Sequence, residues 1–216
     1  MQETHREGSH QYKMVDVNKA DDLHPKYRSC VVARQIKARD HSETSYFAPA
    51  PPVESLRTVL SMAVTSMGTH RPSLDPSSPT RSQLSFADVS RAYFNARIDP
   101  KEPCYVDLPS ELGDDGSNCG LLMRHMYGTR RAADGWQEEY FTMLVQELGV
   151  LQGGSSPNLF YHRERDIVCS VHGQDLSSTG PADQLEWLER AIGQRYEITI
   201  GPSVGPGPRD AKKLRC

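Results

Sequence analysis

The sequence lacks the marks of several protein classes. Its five cysteines form no C-x-x-C spacing and no close pairs, so neither a zinc site nor a disulfide framework is indicated. No apolar run approaches the length of a membrane span, and the polar start of the chain lacks the apolar stretch of a secretory signal. These absences favour an intracellular protein, cytoplasmic or nuclear, in a reducing environment and with no membrane partner.

A strong charge of one sign is also missing. The net charge is -3, which argues against strong nonspecific binding to nucleic acid and leaves that role to local patches. One basic patch runs from Lys26 to Arg39 without an acid, and a second one is found near the end of the chain. The basic residues of the two patches are Lys26, Arg28, Arg34, Lys37 and Arg39, and Arg209, Lys212, Lys213 and Arg215. Each patch, taken alone, is typical of a solvated surface.

The length of 216 residues allows one or two domains with an ordinary core. Hydrophobic content of 37% is low beside 25% charge, so part of the chain is expected to be disordered. Residues 1–25 are polar and aperiodic and are interpreted as a disordered lead-in. Residues 201–216, which begin with Gly-Pro repeats, are interpreted as a disordered basic tail.

Apolar periodicity and turn residues predict the elements between these ends. Strands or extended segments are predicted at 27–35, up to Asp88, at 104–109, 121–123, 158–162, 166–172 and 196–200; helices at 53–67, 92–94, 132–148 and from 181 onward. From Leu84 the order is strand, insertion, helix, hairpin, helix, strand. This order is that of a split β-α-β unit with ferredoxin-like connectivity, in an α+β fold.

Two apolar runs deliver carboxylates at or near their ends. Leu84–Ala87 stops on Asp88, and Ile167–Val171 stops on the sequence His172-Gly173-Gln174-Asp175. In the predicted connectivity the two segments can be neighbours in the sheet, so both acids can lie around shared divalent cations, as a two-metal phosphoryl-transfer site requires. Asp88 alone would also suit the N-cap of the following helical turn, and His172 alone is typical of a structural or exposed histidine.

Short blocks in a fixed order carry a resemblance over Tyr27 to Ile200. They are Arg28–Arg34, Tyr46-Phe47-Ala48-Pro49, Ser55-Leu56-Arg57, Phe86–Tyr93, Cys104–Pro109, Met126–Trp136, Ser156–Phe160 and Val171–Asp175. The last block stands where the family has Y-V-D-D, and Phe86–Tyr93 resembles its Q-x-D-V-x-x-A-F. In this series the chain resembles the reverse transcriptase domain of copia-type LTR retrotransposons.

The resemblance implies a polymerase palm, an antiparallel sheet with helices on one face, at residues 84–200, with partial fingers at 26–83 and no thumb. It implies an RNA-directed DNA polymerase that transfers nucleotides from dNTPs to a primer 3′ end on an RNA or DNA template, with Mg²⁺ or alternatively Mn²⁺. The implied metal-binding and catalytic residues are Asp88 and Asp175, with Gln174 at a substituted ligand position. The implied nucleotide-binding residues are Tyr93 under the sugar, Arg28, Arg34 or Lys37 at the triphosphate, and Arg131 near the nucleotide.

The sequence departs from the family pattern at positions that would bind the metal ion or the nucleotide. Gln174 replaces the first acid of the Y-V-D-D pair, which removes one negative charge where two dications would repel each other. Cys30 replaces a basic residue, and Arg131 stands where the family usually has a glutamine. We therefore expect polymerase activity lowered by orders of magnitude, or absent.

Two other interpretations stay open at this point. One is a catalytically inactive retrotransposon-derived relic that binds nucleic acid through the Lys26–Arg39 patch. The other is an unrelated ferredoxin-like domain with incidental acids, which would be supported if the side chains of Asp88 and Asp175 pointed to different faces. Tyr93 alone would also suit a core position.

Overall fold

The computed structural model describes residues 9–35, 52–65, 75, 77–78, 80–109, 117–207 and 210. The chain divides into two compact units, a first unit drawn from Met1–Ala48 and Tyr93–Glu139 and a second unit drawn from Pro49–Ala92 and Tyr140–Cys216. Each unit is therefore made of two separate stretches of sequence.

In chain order the elements are β1 Tyr12–Asn18, β2 Tyr27–Ala33, α1 Val53–Val64, β3 Ser82–Val89, β4 Tyr105–Asp107, β5 Cys119–Leu121, α2 Ala132–Phe141, β6 Leu151–Gln152, β7 Leu159–His162, β8 Ile167–His172, β9 Asp175–Pro181, α3 Ala182–Arg195 and β10 Ile198–Ile200. A 3-10 helix spans Ala92–Asn95, and α2 continues as a π-helical segment over Thr142–Glu147. None of the helices in the described part of the chain is both long and apolar enough to cross a membrane.

The first unit contains two short antiparallel pairs. β1 pairs with β2 from Tyr12↔Ala33 to Asn18↔Tyr27, and β4 pairs with β5. Its small core joins Ala33, Val106 and Met126. The interpretation of residues 1–25 as disordered is wrong for Tyr12–Asn18, because backbone pairing with β2 orders a strand whose side chains are mostly exposed and so leave no hydrophobic signal.

The second unit is built on a six-stranded antiparallel sheet in the order β10-β3-β9-β8-β7-β6. The four strands β10, β3, β9 and β8 have the order of a split β-α-β arrangement, and β7 and β6 extend it at one edge. An α+β fold with an antiparallel sheet is thereby confirmed. The predicted hairpin of 158–162 with 166–172 is also confirmed, as β7 pairs with β8.

The two faces of this sheet carry different helices. Side chains alternate along β3, and Ser85 on one face donates a hydrogen bond to Glu189 of α3. Phe160, on the same face, packs edge-on against Tyr140 at the end of α2. α1, which the resemblance assigned to partial fingers, packs against β3, β8 and β9 and contributes to the opposite face, on which Leu84, Phe86 and Asp88 lie.

The segment after β10 is not disordered as far as it is described. Val204 and Leu84 exchange backbone hydrogen bonds at 2.8 and 2.9 Å, and the Gly201 N–H donates to the Phe86 carbonyl. Asp210 then pairs with Arg81 at the start of the β3 region. The expectation of a disordered tail is therefore wrong for 201–207 and Asp210, because the chain continues to pair along β3; the basic residues of that tail lie outside the described residues.

Candidate functional site: an acid pair beside a cavity

Asp88 and Asp175 face each other across neighbouring strands. In the β3–β9 register they are direct Cα partners. The Val89 N–H donates to the Gln174 carbonyl at 2.9 Å, so the next pair, Asp88 with Asp175, is of the non-hydrogen-bonded kind. Partners of that kind have Cα atoms about 4.5 Å apart and closely spaced side chains. The expected meeting of the two acids is confirmed, and their side chains do not point to different faces of the sheet.

A tight turn brings Asp175 to this position. His172 and Asp175 are paired, and Gly173-Gln174 forms the two-residue loop between β8 and β9. Of these two loop residues only Gly173 has a positive φ, +60°, which is the pattern of a type II′ turn with glycine at its first central position. The glutamine therefore lies at the tip of the turn, and the following residue is the one that faces Asp88.

A cavity of about 620 Å³ opens beside the acid pair, and all its lining residues belong to the second unit. Its walls are mostly apolar, and the N-terminal end of α1 contributes to them. The lining residues are Pro52, Val53, Leu56, Phe86, Ala87, Asp88, Ser170, His172, Asp175, Leu176, Ser177, Thr199 and Gly201. A volume of this size is typical of small-molecule sites.

The carboxylate of Asp88 is incompletely satisfied. Its Oδ1 atom is shielded from solvent and accepts no hydrogen bond from the described residues. A buried acceptor without a partner costs about 1–3 kcal/mol, and a water molecule or an ion is a common partner where the protein supplies none. Asp88 lies within β3, and the following 3-10 helix begins only at Ala92, so the alternative role of Asp88 as its N-cap is wrong.

Asp175 is electrostatically coupled to its neighbours. Partial burial raises its pKa above the ordinary value of 3.8, the negative charge of Asp88 raises it further, and His172 opposes the shift. Two like charges opposite each other in a sheet are destabilising. A cation between them would relieve that repulsion.

The two carboxylates fit one divalent cation better than two. Mg²⁺ is commonly held by one or two carboxylates, with waters and substrate phosphates completing its shell. The unpartnered Oδ1 of Asp88 and the facing carboxylate of Asp175 meet that minimum. Among the described residues, no group of three or more His, Cys, Asp or Glu is gathered that could hold a metal ion. A second ion would depend on ligands from a substrate.

The other predicted site residues lie in the first unit or outside the described residues. Tyr93 stacks at an angle on Tyr127, with ring centroids 4.6 Å apart. Arg28 and Arg34 are exposed on and just after β2, and Arg131 forms an ion pair with Glu102. Lys37 lies outside the described residues.

Sequence reasoning missed the cavity. His172, expected as a structural or exposed histidine, is indeed exposed, and it also lines the cavity. The missed strand β9 carries Ser177, Ser178, Thr179, Gly180 and Pro181, a composition typical of a loop. The signal that the sequence does contain is Gly173-Gln174, because a two-residue turn pairs His172 with Asp175. The role of α1 as a cavity wall had no local signal, because it depends on packing between distant segments.

Comparison with known proteins adds no relative. No model of a known protein family matches the sequence, and no curated protein matches it either.

Proposed function

We propose that the chain is a reverse transcriptase domain of the copia-type retrotransposon class whose acid pair binds one divalent cation and whose nucleotidyl transfer is strongly impaired. The observation that carries the proposal is the direct cross-strand pairing of Asp88 with Asp175. The ordered sequence blocks and the strand order β10-β3-β9-β8 support it.

In this proposal the residues of the chain have distinct tasks. Asp88 and Asp175 hold the cation at the mouth of the cavity, and the β3–β9 pairing fixes their spacing before any ligand arrives. A bound Mg²⁺ supplies charge stabilisation and alignment for the attack of a primer 3′-hydroxyl on an α-phosphate. Gln174, exposed at the turn tip, adds a neutral carboxamide where a third charge would strengthen the hold on the ion.

The expected loss of nucleotidyl transfer follows from the small number of charged groups around the site. Stabilisation by a metal ion is worth several kcal/mol in such reactions, and each ~1.4 kcal/mol is tenfold in rate. Two acids without a third leave the ion weakly held, and the described cavity wall includes no lysine or arginine to meet a triphosphate. Both features lower the expected rate.

Calorimetric titration with Mg²⁺ and Mn²⁺ tests the cation site. We expect weak, one-site binding that falls at least about tenfold in Asp88→Asn, since a lost carboxylate ligand costs on the order of 1.4 kcal/mol or more. Gln174→Asp should bind about tenfold more tightly, because a new charge near the ion at water-like dielectric is worth roughly 1–2 kcal/mol. Binding should weaken as the pH falls toward the raised pKa of Asp175. Glu164→Gln, an exposed acid in the β7–β8 turn, is the matched control.

Primer extension on an RNA template then measures whether the chain has polymerase activity. We expect little or no extension by the natural sequence and a gain in Gln174→Asp. Robust synthesis by the natural sequence would show that the impairment is wrong, and absence of any cation binding that depends on Asp88 would show that the site assignment is wrong.

A second candidate is a nucleic-acid-binding module without catalysis. The β1–β2 register pairs Lys13 with Val32 and Arg28 with Val17, so Lys13 and Arg28 lie on the same face of this two-stranded ribbon. Arg34 extends that face, because its N–H donates to the Gln11 carbonyl and continues the pairing. All three side chains are exposed, and an exposed basic strand face suits phosphate contacts.

Binding of a single-stranded RNA oligonucleotide at several salt concentrations tests this module. Replacing Lys13, Arg28 and Arg34 together by glutamine should lower affinity at least about tenfold and reduce the slope of log K against log salt by about 2, since each phosphate contact in single strands contributes roughly 0.7. Lys101→Gln, an exposed lysine of the same unit, should change little. An unchanged salt slope in the triple variant would exclude this face as the binding surface.

A further inference from the structure

We propose that the cavity of the second unit is a binding site for a small organic cation with an apolar body, such as an aryl-alkyl ammonium compound, whose charged end lies between Asp88 and Asp175. This inference does not rest on polymerase ancestry. It concerns what the cavity itself selects.

The wall of the cavity selects an apolar body. Val53 and Leu56 of α1 and Phe86 of β3 line it, and the two residues of α1 remain 55% and 38% exposed. Partly exposed apolar side chains around a cavity gain from an apolar ligand, at about 25 cal/mol per Å² of surface that is removed from water. A small ion without an apolar body would leave these apolar side chains in contact with water.

The charged groups of the cavity select a positive end. Asp88 and Asp175 are its only described acidic lining residues, and His172 is the single described lining side chain that can become positive. The Oδ1 atom of Asp88 has no hydrogen-bond donor in the described structure, whereas an ammonium group offers three donors. An anionic ligand would meet two carboxylates and no lysine or arginine, so the described wall disfavours an anion that arrives without a metal ion.

The two requirements are adjacent in space. Asp88 and Phe86 lie on the same face of β3 by strand alternation, with Ser177 opposite Phe86 and Asp175 opposite Asp88. α1 packs over β3, β8 and β9. A single ligand of a few carbons beyond its ammonium group therefore contacts the acids and the apolar wall together.

Calorimetry with 4-phenylbutylammonium as the probe tests the inference, with 4-phenylbutan-1-ol as the uncharged analogue and methylammonium as the analogue without an apolar body. For a ligand of this size we expect a Kd on the order of 0.1–1 mM. Both analogues should bind at least about tenfold more weakly. Asp88→Asn and Asp175→Asn should each reduce binding of the amine at least about fivefold and leave binding of the alcohol unchanged, whereas Glu164→Gln should change neither.

Each outcome bears on the inference directly. The inference would be overturned if the amine and the alcohol bound with equal affinity. It would also be overturned if amine binding survived in Asp175→Asn, a change at an exposed position beside a turn, where folding is not at stake. Alcohol binding in each variant reports that the cavity has kept its form. Mg²⁺ is titrated separately: amine binding without Mg²⁺ binding supports the inference while the proposed cation site fails, and Mg²⁺ binding without amine binding overturns the inference while the cation site stands.

Discussion

Gly128→Ala is expected to destabilise the first unit by about 3 kcal/mol or more. Gly128 has φ +89°, and a Cβ atom there would lie 1.9 Å from the Ala33 carbonyl oxygen. A left-handed conformation costs an alanine roughly 1–2 kcal/mol by itself. The overlap is with backbone, so the end of β2 must move away, at the cost of two backbone hydrogen bonds, Ala33 N–H to the Tyr127 carbonyl and Gln35 N–H to the Gly128 carbonyl.

Gly149→Ala is the matched control for this change. Gly149 has φ +70° with open space around the Cβ position, so its alanine variant measures the cost of the left-handed conformation alone, about 1–2 kcal/mol. Urea unfolding of both variants gives the two free energies. A loss in Gly128→Ala no larger than that in Gly149→Ala would mean that the close approach of Gly128 to Ala33 does not exist in solution.

Asp210→Asn is expected to lower stability by about 2–3 kcal/mol. The carboxylate side chain is only 4% exposed and receives two hydrogen bonds from Arg81, at 3.0 and 3.1 Å, whose own side chain is 18% exposed. Gln83 and the Gly207 N–H also donate to it. Removal of one partner from a buried pair leaves the other charge uncompensated, which costs several kcal/mol; the partial exposure of Arg81 moderates the loss.

The stabilisation by Asp210 is expected to depend on pH. The hydrogen bonds from Arg81 hold the pKa of Asp210 far below its ordinary value of 3.8. A depressed pKa contributes stability that is full above the unfolded-state value and is lost as the pH falls toward the folded-state value. The difference between the natural sequence and Asp210→Asn should therefore shrink below about pH 4. Glu164→Gln, a solvent-exposed charge removal, should stay within about 0.5 kcal/mol at every pH, and an equal loss there would contradict a specific role for Asp210.

The Arg81–Asp210 pair also explains why composition misjudged the region after β10. The segment from Gly201 to Gly207 is rich in glycine and proline and has little apolar surface, a pattern typical of a loose tail. Its order comes instead from backbone pairing with Leu84 and Phe86 and from one buried carboxylate. Neither partner lies within a local window of sequence.

Local sequence was sufficient for elements that bury an apolar stripe. The helices at 53–64 and 182–195 and the strands at 82–89, 159–162 and 167–172 were placed within a few residues, since their side chains repeat with the period of the element that packs them. Trp136, Tyr140 and Leu144, spaced four residues apart in the helix predicted at 132–148, are likewise all buried. β1 and β9 were missed because their stability comes from paired backbone rather than from apolar side chains.

The acid pair itself could be inferred from the chain, whereas its setting could not. Two carboxylates at the ends of apolar runs, together with the order of strands and helices, were enough to expect that Asp88 and Asp175 meet. Register alone decided that Asp175, rather than Gln174, stands opposite Asp88, because a shift of one residue in a strand sends every side chain to the other face. The cavity, the unsatisfied oxygen of Asp88 and the apolar wall from α1 arise only when segments distant in sequence pack together, and burial and desolvation are properties of that packing.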